Sequence, residues 1–118
     1  MSKSLTLDPR VEYLPPEDCA DRLGAWATPH GVRRLAAMGV LPSAKLGRSV
    51  RILVTADETA ADSAFYLPRS TRLFTMQELA PRLGLTYRGL RMRVWKSGFL
   101  ADAIRRVGSR ILIAVETA

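Results

Sequence analysis

The chain has 118 residues, a net charge of +7 and a 47% apolar composition, so it holds one ordinary domain or two very small ones and is no disordered tail. It contains no run of eighteen apolar residues, which excludes a membrane-spanning helix. The opening Met1-Ser2-Lys3-Ser4-Leu5-Thr6 lacks the apolar stretch of a secretory signal, and the lone Cys19 and lone His30 allow neither an internal disulfide nor a metal cluster. A cytoplasmic protein without cofactors is expected. The excess of positive charge calls for a polyanionic partner, nucleic acid or an anionic membrane surface.

In chain order, residues 1–10 read as an N-terminal arm. Residues 11–56 form a first module: a helix that closes at Gly24, then a second opened by Thr28-Pro29 as N-cap and first helical residue. Val32, Leu35 and Ala36 give that helix an apolar face, and Gly39 ends it. Val50, Ile52 and Val54 then alternate as a strand. Residues 57–71 are a polar, Ala-rich linker that suits a short helix and then a loop. Fully extended, its residues 61–71 would reach at most ~36–40 Å, from ~3.3–3.6 Å per residue, close to the ~34–36 Å between successive major-groove faces of a duplex.

Residues 72–118 form the second module. Thr75 with Glu78 makes a capping box, and Gly84 suits the left-handed position that closes a helix. Pro81 sits inside that helix and should cost it a backbone bond. Thr86 caps a second helix carrying Leu90, Met92, Val94 and Trp95 until Ser97-Gly98, and Arg110–Val115 is a β-rich run. Gly47 and Gly108 supply hairpin turns, although they do not align with each other.

The two modules are copies. Residues 14–24 match 74–84 at an offset of sixty, with Ala, Arg, Leu and Gly identical. At an offset of fifty-nine Gly39 meets Gly98, Leu41 meets Leu100, Ala44 meets Ala103, and Arg51-Ile52-Leu53-Val54 meets Arg110-Ile111-Leu112-Ile113. Both copies end in Glu-Thr-Ala, at 58–60 and 116–118. On this alignment Cys19 meets Leu79 and reads as a small buried residue. Trp95 meets Ala36 and reads as core, while Trp26 packs on its own module or on the other.

The second copy carries Thr75, Glu78, Ala80, Leu83-Gly84, Thr86, Gly98-Phe99-Leu100, Gly108 and Arg110-Ile111. The first carries Asp18, Ala20, Leu23-Gly24, Gly39-Val40-Leu41, Gly47-Arg48 and Arg51-Ile52. In this order, over roughly 14–56 and 73–115, the residues resemble the excisionase and MerR-type winged helix-turn-helix family. The expected fold is α+β, mainly α: two tandem winged helix-turn-helix modules, each of two helices plus a β-hairpin wing. The resemblance implies a sequence-specific double-stranded DNA-binding protein whose second helices read the major groove. Its role is then recombination directionality beside an integrase or recombinase, or regulation of the transcription machinery. In the alternative, the second module binds DNA and the first contacts an integrase or other protein. The chain then acts as a monomeric pseudo-dimer or assembles along DNA.

The charge is unequally shared. Residues 70–118 hold nine basic residues against three acidic ones, a net +6, whereas residues 11–69 hold seven of each. The expected DNA-binding residues are Thr86, Tyr87, Arg88, Arg91, Arg93 and Lys96 on the second helix and Arg105, Arg106 and Arg110 on the wing. In the first module they are Thr28, His30, Arg33, Arg34, Arg48 and Arg51. Guanidinium groups meet guanine edges bidentately or grip phosphates. The basic helix lacks the broad apolar face of a membrane-surface helix. No glycine-rich phosphate loop follows a strand, and no Gly-x-Ser-x-Gly or catalytic carboxylate pair occurs, so an enzyme is not expected.

Overall fold

The computed structural model describes residues 7–116. Residues 1–6 of the expected arm, and Thr117-Ala118 of the second Glu-Thr-Ala match, lie outside the described residues. The chain runs through two β-α-α-β-β units. The first is β1 (Val11–Leu14), α1 (Pro16–Leu23), α2 (Pro29–Ala37), β2 (Ser43–Leu46) and β3 (Ser49–Thr55). After the short β4 (Phe65–Tyr66), the second is β5 (Thr71–Thr75), α3 (Met76–Arg82), α4 (Tyr87–Ser97), β6 (Ile104–Val107) and β7 (Arg110–Glu116). β3 is the antiparallel centre of β1-β3-β2, and β7 that of β5-β7-β6, while β4 pairs in parallel with the end of β3.

The mainly-α expectation of two winged helix-turn-helix modules, each of two helices and a hairpin, is therefore corrected. The chain is a small α+β fold of four helices and seven strands in two antiparallel sheets, 37% helical and 30% strand. Besides the two-residue β4, which lies in the expected linker, the strands that the sequence reading missed are β1 and β5. Each is only four or five residues long, too short for its period to stand out. Each acquires its conformation by pairing with a long central strand, Leu14 with Ile52 and Phe74 with Ile113.

Local chemistry sets the helix ends. Thr28 and Thr86 each accept a bond from the amide three residues on, Gly31 N and Gly89 N, at 3.0 Å. Thr75 and Glu78 form the expected capping box, and α1 starts on Pro16, whose missing N–H costs nothing there. Pro81 falls in the last turn of α3 and leaves a seven-residue helix. The matched caps put α2 and α4 at an offset of fifty-eight, so Trp95 corresponds to Ala37 rather than Ala36. Gly47 and Gly108 do correspond, contrary to the sequence alignment. Each opens a two-residue turn at positive φ, +64° and +63°, which puts the strands at an offset of sixty-one. The slip from fifty-nine is two residues, so every strand residue keeps its face.

Those faces fix the architecture. On β7, Ile113 packs with Leu79, Leu90 and Val94 of α3 and α4. Leu112 points the other way and packs with Leu23, Val32 and Ile52 of the first unit, alongside Leu73 and Val107. Both are fully buried. The second sheet is thus covered by its own helices on one face and by the first unit's helix layer on the other. Beyond α1 and α2 lies the first sheet through Ile52 and Val54, and its outer face is closed by Ala60 and Ala64 of the linker. The linker is folded onto the body, not extended: it holds a 3₁₀ turn at Glu58–Ala60 where a short helix was expected. The layers stack into a body measuring 61 × 28 × 23 Å. Among the described residues no helix is long and apolar enough to cross a membrane.

Gly24 marks the joint between the units. Its φ of +134° lies outside the range of L side chains, and a Cβ there would stand 2.6 Å from the Leu73 carbonyl oxygen. A shared core implies shared unfolding. Leu112→Ala should cost about 2–5 kcal/mol and lower one urea midpoint common to far-UV circular dichroism and Trp26 fluorescence in a Trp95→Phe background. Two separate midpoints would show units that unfold independently.

Candidate nucleic-acid interface

The turn of β6 and β7 lies between two helices from different units. On one side it forms an open cleft of about 470 Å³ with Trp26, Thr28, His30, Arg34 and Met38. On the other it forms a cleft of about 450 Å³ with Gln77, Tyr87, Arg91 and Trp95. Ser109 and Arg110 line both. The second unit's turn therefore joins α2 and α4 into one surface, a link that no spacing in the sequence discloses. Arg110 anchors it, its guanidinium 5.6 Å from the Trp26 ring, and the Trp26 indole N–H donates to the Leu23 carbonyl at 3.1 Å.

The expected residues divide by geometry. Thr28 and Thr86 sit on the surface with their side-chain oxygens committed to helix caps. His30, Arg33 and Arg34 are exposed on α2, and Arg48 is exposed at the first hairpin's turn. Arg51 is opposite Ala44, on the sheet face turned away from α1 and α2, and donates to the Val50 carbonyl. On α4, Tyr87, Arg91 and Trp95 recur every four residues and form one stripe toward the turn. Arg93 stands about 200° around the helix from Arg91, so the two lie on opposite flanks of α4. Arg88 and Lys96 are exposed on α4. Arg105 and Arg106 are neighbours on β6 and so take opposite faces. Arg105 is opposite Leu112 on the face toward the first unit, and Arg106 is opposite Ile111 on the face toward α3 and α4.

Ion pairing separates the units more sharply than the charge count. The pairs among the described residues all lie between residues 8 and 69: Arg10–Asp8, Arg22–Glu12, Arg33–Glu17 and Arg69–Glu12. Arg10 also donates to Thr59, and its bond to Asp8 holds that carboxyl below its ordinary value. In the second unit Arg82 stacks on Phe74 and Arg105 donates to the carbonyls of Asp102 and Ile104. Among the described residues of the second unit, the side chains of Arg72, Arg88, Arg91, Arg93, Lys96 and Arg106 have no hydrogen-bond, ion-pair or ring partner.

One substitution between the copies explains part of this. Arg33 pairs with Glu17 at 3.0 Å, while Arg91, its counterpart on α4, shares a cleft with Gln77, the counterpart of Glu17. Losing that carboxylate leaves Arg91 unneutralised. The sequence alone does not place Gln77 beside an arginine. Trp95, expected in the core, is 50% exposed. The helical wheel anchored on Leu90 and Val94 puts Trp95 on a flank.

Comparison with family models, with curated proteins and with solved structures returns no match to this chain.

Cys19 belongs to the packing, as its alignment with Leu79 suggested. It is fully buried, and burial pushes its thiol from 9.0 up to about 11. The folded state holds this proton at a pH where the unfolded chain releases it. Stability contributed by Cys19 is therefore complete below about pH 9 and is lost as the pH rises toward 11. Denaturation midpoints of the wild type should fall more steeply over that window than those of Cys19→Ala, and thiol reagents should modify Cys19 only after unfolding.

Proposed function

We propose that the protein binds double-stranded DNA through the surface that joins α4, the β6–β7 turn and α2, with the second unit supplying most of the grip. The observation that carries this is the set of exposed, partnerless cations on the second unit, Arg72, Arg88, Arg91, Arg93, Lys96 and Arg106. Seven basic residues in the first unit are offset by carboxylates in number and partly by direct pairing, whereas the second unit keeps its net +6 free for phosphates. A helix carrying several unpaired arginines beside a basic hairpin has the means to hold a backbone and to read guanine edges. Recombination directionality and transcriptional regulation are the two roles that the sequence resemblance offers. A cytoplasmic setting accompanies both, and a single buried thiol suits a reducing compartment.

A second arrangement gives the first unit to a protein partner such as an integrase. It is favoured by that unit's balanced charge, by the Arg33–Glu17 pair, and by the exposed Met38 and Leu46.

Gel retardation of a random duplex tests the main proposal. If about six phosphates are neutralised, log affinity should fall against log salt with a slope near −5, from ~0.9 per contact. Arg91→Ala and Arg93→Ala should each reduce that slope by about 1. Gln77→Glu should weaken binding several-fold by pairing Arg91 as Glu17 pairs Arg33. Selection from a random pool should return one half-site if the first unit contacts protein and two if both units read DNA. Failure to retard any duplex at low salt would remove the proposal.

A further inference from the structure

We infer that the stripe Tyr87, Arg91 and Trp95 on α4 is a stacking site for an unpaired nucleobase of the bound strand, with Trp95 carrying the stack. The inference rests on the DNA reading above and adds a ligand chemistry to it.

Two large aromatic side chains stand in water on a helix whose core side is already filled by Leu90 and Val94. Trp95 is 50% exposed and Tyr87 is 44% exposed. Neither is needed to close the hydrophobic core, and the first unit manages the same helix with Pro29 and Ala37 at these places. Exposed aromatics at helical spacing, with an unneutralised arginine between them, fit a ligand with a flat apolar face and an attached anion. A nucleotide within a strand has both. Every base offers a π-face, and its phosphate carries the charge that Arg91 and Arg110 can meet across the cleft.

The surroundings favour a strand over a buried small molecule. The cleft is open along α4 and is walled on the far side by Ser109, Arg110 and Ile111 of the hairpin, so a chain can enter and leave it. The cationic groups also continue beyond the stripe to Arg88 and Lys96, which extends the anionic match over more than one phosphate. A perfectly paired duplex hides its base faces, so the site suits a step that is bulged, frayed or opened by bending.

The test uses the full chain with Trp26→Phe, which leaves Trp95 as the sole tryptophan, and fluorescently labelled probes. These are a perfect duplex, the same duplex with a one-base bulge, the single strand, and adenosine monophosphate as an unlabelled control. The bulged duplex and the single strand should quench Trp95 emission more deeply than the perfect duplex does. Trp95→Ala should weaken binding of the bulged duplex by between about five- and 150-fold, the range for one stacked base, and Trp95→Phe should restore most of it. Trp95 is half exposed, so these variants keep the fold, which melting curves check. Equal quenching by every strand would mean that Trp95 only lies near the backbone, and would overturn the inference. So would unchanged affinity in Trp95→Ala, or a response to the mononucleotide at concentrations where no strand responds. Each of these three results leaves DNA binding intact if anisotropy still reports a complex. No change in anisotropy for any strand at low salt would instead remove the proposed function itself.

Discussion

Everything in this molecule depends on β7 being buried on both faces. Leu112 and Ile113 are neighbours with opposite directions, and both are fully buried. Full burial of a side chain of this size contributes about 1.5–3 kcal/mol, so neither face of the sheet can be left to solvent without loss. One face is met by α3 and α4. The other draws the first unit's helices onto it, which turns two small repeats into one stack with a continuous core. Each repeat alone would expose half of its best hydrophobic surface, the situation in which neighbouring repeats stabilise each other.

The run Ile111-Leu112-Ile113-Ala114-Val115 announces this arrangement. A strand with one wet face alternates, and a strand covered on both sides reads as continuously apolar. The duplication, the capping residues Thr28, Thr75 and Thr86, the glycine stops and the uneven charge were also legible, because each is a local or additive property. The short strands β1 and β5 were not, since a segment of four or five residues takes its conformation from its partner. The register between copies was missed for a related reason. α4 has eleven residues where α2 has nine, and the stretch before the hairpin adds one more, six residues against five, in turns where identity scores carry little weight. The joint at Gly24 and Leu73 was beyond reach, as it joins segments whose proximity only the stack creates.

The candidate surface shows the same division. Which residues are basic is written in the sequence; which of them are neutralised is a matter of place. Glu12 binds both Arg22 and Arg69, and so ties β1, α1 and the linker together. Glu17 binds Arg33 at the surface, where a pair adds little stability but does reduce the charge available to a ligand. The second copy has Gln77 instead, and three acidic residues in all against nine basic ones. Duplication thus supplied one scaffold twice, and changes at the helix surfaces gave the copies different electrostatics without altering the core.

The open face of α4 follows from those surface changes. On α2 the positions turned toward the second unit hold Leu35 and Met38, and Leu35 comes so close to the hairpin that a Cβ on Gly108 would meet it at 3.1 Å. The corresponding positions on α4, counted from the matched caps, are Arg93 and Lys96. Covering Arg93 as Leu35 is covered would strip a charge of water with no carboxylate to receive it, while Lys96 matches Met38, which stays exposed beside the hairpin. The substitutions that leave α4 without a further protein layer are therefore also those that extend its cationic surface. A repeat face that no neighbour covers needs polar side chains to stay in water. The side chains that meet this requirement are also those the proposed polyanionic ligand would use, and they give α4 more unpaired charge than α2, where Arg33 is paired with Glu17 and Arg34 is exposed.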